Sequence, residues 1–77
     1  MAEVIALLDK NRREKLRIAL DNYQGVDLID VRVAVKLSET SGIWTPTKKG
    51  VSFQPHLLPE VIRALIRAAE LYVQEPA

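Results

Sequence analysis

The residues that could do chemistry in this chain are cations and aromatics, and the types that are missing narrow the options further. There is one histidine, His56, and no cysteine. A lone histidine behind Pro55, with no ligand near it in sequence, is no metal site, and the absence of cysteine excludes disulfide frameworks and cysteine-based zinc. One histidine and scattered serines assemble no nucleophile–base constellation. Lys48-Lys49-Gly50 lacks the upstream glycine and the following Ser or Thr of a phosphate-cradling P-loop. The chain reads as a non-enzyme with no metal and no cofactor.

Charge is what remains. The formal net charge is only +1, but its distribution is uneven. Residues 11–54 carry eight basic side chains (Arg12, Arg13, Lys15, Arg17, Arg32, Lys36, Lys48, Lys49) against five acidic ones, for a net of +3. The segments on either side each come to −1. Clustered positive charge is the footprint of a surface that tracks phosphates, and an ordinary solvated face is its bland counterpart.

The elements that must position these side chains follow from periodicity. Over residues 15–23, Leu16, Ile18 and Leu20 alternate with Lys15, Arg17, Ala19, Asp21 and Tyr23, the pattern of a half-buried strand. Gln24-Gly25 supplies a turn. Over residues 26–37, Ile29, Val31, Val33, Val35 and Leu37 make one apolar face, opposite Leu28, Asp30, Arg32, Ala34 and Lys36. Two such strands across a short turn predict an antiparallel hairpin whose polar face carries Lys15, Arg17, Tyr23, Arg32 and Lys36 together. Residues 38–47, punctuated by Gly42 and Pro46, read as a loop holding Trp44. Lys48-Lys49-Gly50 then leads into a short strand over 51–54, with Val51 and Phe53 toward the core. Residues 3–10 fit a helix face through Val4, Leu7 and Leu8, and fit equally a short strand apolar on both sides; the pattern leans to helix.

After Pro55 the period changes. A helix is predicted over 59–73, with Glu60, Arg63, Arg67, Glu70 and Gln74 forming one polar stripe. The rest of its surface is apolar, wider than packing on one small sheet requires. Seventy-seven residues form one small domain, which buries only roughly 60% of its unfolded surface and often needs a partner. Both facts point to a homodimer in which the helix packs on its own sheet and on its partner. No apolar run approaches the roughly 18 residues of a membrane span. The opening Met1-Ala2-Glu3-Val4 has no basic leader, so a cytoplasmic, nucleoid-associated setting is the expectation.

Two segments carry a resemblance. Tyr23-Gln24-Gly25 followed by Leu28-Ile29-Asp30-Val31-Arg32 is similar to the aromatic-x-Gly…Leu-Ile-Asp-Ile-Arg segment of the transcriptional coactivator family of positive cofactor four. Pro46-Thr47-Lys48-Lys49-Gly50-Val51-Ser52-Phe53-Gln54-Pro55 resembles that family's Pro-x-basic-Lys-Gly-Ile-Ser-Leu-x-Pro segment. The order and spacing agree, and the likeness runs from residue 14 to about residue 72, as in short, prokaryotic-type members. It implies an α+β fold of four curved antiparallel strands and one C-terminal helix, dimeric, binding single-stranded DNA across the polar side of the sheet. Residues 3–10 would then be the first strand.

The resemblance places Tyr23 at the family's base-stacking aromatic, Arg32 at its sheet arginine, and Lys48 and Lys49 at its basic pair. Stacking on any base is worth about 1–3 kcal/mol without reading sequence, and cations on phosphates make binding salt-sensitive. Lys15, Arg17 and Lys36 join by sharing the polar face, and Arg32 is expected also to pair with Asp30. The chain departs from the pattern in having Val35 at the family's tryptophan, and Gln24, Val26 and Thr45 at lysine positions. Trp44, in a loop about two residues longer than the family's, is expected to replace the missing aromatic in part by reaching the channel from that loop. The function implied is sequence-independent single-stranded DNA binding in transcription regulation or DNA maintenance, with the transcription machinery as a partner. The alternatives are a dimeric protein-docking module that has lost nucleic-acid binding, and an RNA-binding protein.

Overall fold

The computed structural model describes residues 2–74. Strands β1 (Glu3–Asp9), β2 (Glu14–Tyr23), β3 (Val26–Lys36) and β4 (Trp44–Phe53) form a single antiparallel meander in sequence order. A 3-10 turn, Pro55–Leu57, leads into helix α1, Leu58–Gln74.

The β2–β3 hairpin closes through two residues, Gln24 (φ 52°) and Gly25 (φ 84°). Positive φ at both matches the right-handed twist of the flanking strands. Asn22 holds the turn from within, its Oδ1 accepting the Gly25 N–H at 3.1 Å and its Nδ2 donating to Asp27 at 2.9 Å. Leu16, Ile18 and Leu20 lie opposite Val33, Val31 and Ile29, so the apolar faces of β2 and β3 coincide. Val51 and Phe53 extend that face through β4.

Residues 3–9 are the first strand that the resemblance implies, and not the helix toward which the pattern by itself leans. So short a helix is marginal in water, whereas pairing along β2 satisfies its backbone and suits side chains that are apolar both ways. The last strand starts at Trp44 rather than Val51, with Trp44, Thr45 and Pro46 paired to Lys36, Val35 and Ala34. Pro46 is tolerated because β4 is an edge strand, where a missing N–H costs no ladder bond. The helix does not lie on its own sheet. The C-terminal segment meets the sheet mainly through the 3-10 turn against β3, and α1 makes no extensive contact with the strands.

The molecule is therefore flat, 40 × 36 × 17 Å, and its core is thin. Ala19, Ile29 and Ala34 are the buried hydrophobics among the described residues. The helix's apolar arc is largely exposed, with half-buried Leu58 and exposed Leu65 and Tyr72 recurring every seven residues down its middle. No helix is long and apolar enough to cross a membrane among the described residues.

Candidate nucleic-acid interface

The polar face of the sheet is organised by Asp30. Ala19 pairs with Asp30 across β2 and β3, Arg17 with Arg32, and Ser52 of β4 lies opposite Asp30. The Asp30 carboxylate is buried and accepts from Arg17 Nη1 at 3.0 Å, from Arg32 Nε at 2.6 and 2.8 Å, and from Ser52 Oγ at 2.8 Å. Burying a carboxylate is costly unless it is paired and hydrogen-bonded, and here it is both. Arg32 is tied further: Nη1 donates to the Thr47 carbonyl at 2.9 Å and Nη2 to Ser52 Oγ at 3.1 Å. Arg17 makes the one bond to Asp30 and keeps more of its donors for a ligand.

Beside Arg32 the edge strand bulges. Arg32 pairs with Gly50 and Ala34 with Pro46, which leaves residues 47–49 bowed out opposite Val33. Thr47 closes the base of the bulge, its Oγ1 donating to the Val33 carbonyl at 2.8 Å and accepting the Lys49 N–H at 3.2 Å. Gly50, at φ 155°, sits so close that any Cβ there would collide with the Arg32 side chain and the Val31 carbonyl. Glycine at this position is what allows the basic segment to approach the sheet.

Two depressions follow β3. The first gathers Arg17, Tyr23, Asp30, Arg32, Lys48 and Ser52 around it. Tyr23 stands at the hairpin tip with 65% of its surface exposed. The second is lined by Lys36 and Trp44 with Arg12 and Arg13. The Trp44 ring is flanked by two ammonium groups, Lys15 Nζ at 4.9 Å and Lys36 Nζ at 5.2 Å from its centroid, within cation–π range. Trp44 thus occupies the polar face, from the first residue of β4 rather than from a loop.

The basic pair is split by the bulge. Lys48 lines the first depression, while Lys49 lines neither, and its charge acts on Glu14 instead. Pairing sorts the cations as well. Lys15 bridges to Asp9 at 3.2 Å, and Arg17 and Arg32 share Asp30. Arg12, Arg13, Lys36, Lys48 and Lys49 have no ion pair among the described residues. Sequence reasoning named every member of this face except Ser52, the organising role of Asp30, and the pair Arg12–Arg13. The expected pairing of Arg32 with Asp30 is present, and Arg17 and Ser52 join it on the same carboxylate. Arg12 and Arg13 sit in a turn, outside the alternation that sorts strand residues by face.

The family model described as transcriptional coactivator p15 (PC4) matches residues 10–64. A PC4 homolog from Burkholderia pseudomallei is similar in two crystal forms. The orthorhombic form is 34% identical with a TM-score of 0.79, over 88% of this chain and 89% of its own. The tetragonal form is 33% identical with a TM-score of 0.77, over 90% and 98%. The bacteriophage T5 homolog of the eukaryotic transcription coactivator PC4, implicated in recombination-dependent DNA replication, is 25% identical with a TM-score of 0.59, over 95% of this chain and 77% of its own. No curated protein matches the chain.

Proposed function

The chain belongs to the PC4 family, whose members bind single-stranded DNA, and from that premise we propose that it is a homodimer binding single strands without sequence preference. It acts in transcription regulation or DNA maintenance. The observation that carries this reading is the polar face itself: an exposed Tyr23 at one end, Trp44 at the other, and unpaired cations along and beside it. Stacking platforms joined by phosphate contacts hold single strands, whose bases are free to stack, in preference to duplexes. Stacking and phosphate contacts recognise every base alike, so binding without sequence preference is the expectation.

Dimerisation rests on the unpartnered apolar surface. The helix arc and the apolar face of the sheet would both stay wet in a monomer, a larger exposed patch than soluble monomers carry. A second copy covers them with one self-complementary contact. Leu65 is central to the arc and 65% exposed, so Leu65→Glu is expected to halve the mass seen by light scattering. A variant that stays dimeric would place the interface elsewhere.

The functional test is fluorescence anisotropy of labelled single-stranded and duplex DNA of equal length, at low and moderate salt. Tighter, salt-sensitive binding of the single strand is expected. No binding of either by a folded dimer would make the chain a protein-docking module. Tighter binding of a matching RNA strand would make RNA the ligand.

A further inference from the structure

The β1–β2 turn is built without using its two arginines. Asn11 Oδ1 accepts the N–H groups of Arg13 at 3.0 Å and Glu14 at 2.9 Å. The Glu14 carboxylate accepts from Asn11 Nδ2 at 2.8 Å and from Lys10 Nζ at 3.0 Å. These bonds, that from Asn11 foremost, hold the Glu14 carboxyl below its ordinary range. Asn11, Glu14 and Lys10 satisfy one another, and the side chains of Arg12 and Arg13 make no hydrogen bond or ion pair among the described residues. Two adjacent guanidinium groups on a hydrogen-bonded turn are free for a ligand.

They line the same depression as the ring at the far end of the sheet. Arg12, Arg13, Lys36 and Trp44 share one depression of about 740 Å³ with Leu37 and Glu39, a size that suits a nucleotide. Its side chains carry three positive charges against the one negative charge of Glu39. An aromatic ring with two ammonium groups against it and two guanidinium groups in the same depression suits a stacked base with its flanking phosphates.

Resting on the single-strand reading, we infer that this depression is a second nucleotide subsite. One strand bound at Tyr23 runs along β3 and ends its footprint stacked on Trp44, with Arg12 and Arg13 on the phosphates beyond. Tyr23 pairs with Val26 and Trp44 with Lys36, so the two rings sit ten residues apart along β3. At about 3.3 Å per residue that is roughly 33 Å. A stacked strand rises about 3.4 Å per nucleotide, so about ten nucleotides reach from ring to ring, fewer if stretched. Affinity must then depend on length in two stages.

The test compares oligodeoxythymidines of about 4 and about 15 nucleotides by anisotropy, using wild type, the double variant Arg12→Ala/Arg13→Ala, and Lys48→Ala. The double variant is expected to bind the long strand about tenfold more weakly, with a salt slope shallower by about 1.4, and to bind the short strand as wild type does. Equal affinity of wild type and double variant for the long strand, while Lys48→Ala weakens it, overturns this subsite and leaves the single-strand reading standing. Equal losses on long and short strands also overturn it, because the arginines would then act as diffuse charge. No binding of either strand by wild type overturns both.

Discussion

Replacing Asp30 with alanine is expected to destabilise the fold by about 3 kcal/mol, the low end for breaking a buried ion pair because both arginines keep some contact with water. The carboxylate joins three strands: it takes Arg17 from β2, sits on β3 beside Arg32, and receives Ser52 from β4. Without it two guanidinium groups face each other across β2 and β3 with no anion between them. A thin sheet whose buried hydrophobics are two alanines and one isoleucine has little else to absorb the loss. Urea midpoints at fixed protein concentration would measure it, since the stability of the proposed dimer depends on concentration. Asp30→Asn keeps the shape and one acceptor oxygen and should fall between. Removing an acid from a cationic face also raises its potential. Weaker DNA binding by a folded Asp30→Asn would therefore identify orientation of the arginines, rather than charge, as the contribution of Asp30. An unchanged midpoint for Asp30→Ala would mean that water replaces the carboxylate at no cost.

Removing both aromatics is expected to have the largest effect on binding. Each stacking ring is worth about 1–3 kcal/mol by alanine substitution. Tyr23 and Trp44 stand at opposite ends of the face, roughly 33 Å apart along β3 at ~3.3 Å per residue, so their losses should add. Tyr23→Ala/Trp44→Ala then loses about 2–6 kcal/mol on a strand long enough to reach both, on the order of 30-fold to 10⁴-fold in affinity. Circular dichroism checks that the sheet survives, and Trp44→Phe should recover part of the loss, because a smaller ring still stacks. Trp44 is the single tryptophan, so its emission reports on the far end of the face in wild type and in Tyr23→Ala alike. Unchanged emission on adding a long oligonucleotide would remove Trp44 from the interface. Unchanged affinity in the double variant would leave phosphate contacts as the whole of binding.

Much of this architecture was legible before any coordinates. Alternation in β2 and β3 assigned Lys15, Arg17, Tyr23, Arg32 and Lys36 to one face, and the paired register bears out that parity. Gln24-Gly25 announced the hairpin, and the observed helix differs from the predicted one by a residue at each end. Other features were hidden. Pro46 reads as loop punctuation, yet an edge strand accepts proline, so β4 reaches back to Trp44, and Gly42 alone of the two stays in the loop. The bulge at 47–49 separates Lys48 from Lys49, which in sequence look like one basic pair.

What the sequence determined by itself is the set of local elements and the side chains that share a face. Periods of two and 3.6 are properties of the backbone and hold wherever the element ends up. The tertiary structure decided which faces meet and which charges remain unspent. Asp30 consumes Arg17 and Arg32 because register puts the three side chains together across two strands. Arg12 and Arg13 stay free because Asn11 and Glu14 complete their turn without them. The helix, amphipathic by its sequence, joins the sheet through the 3-10 turn after Phe53 and leaves its apolar arc largely uncovered by its own strands. Partners across a sheet, and the direction in which a helix leaves it, depend on contacts between distant segments, and local periodicity carries no record of those.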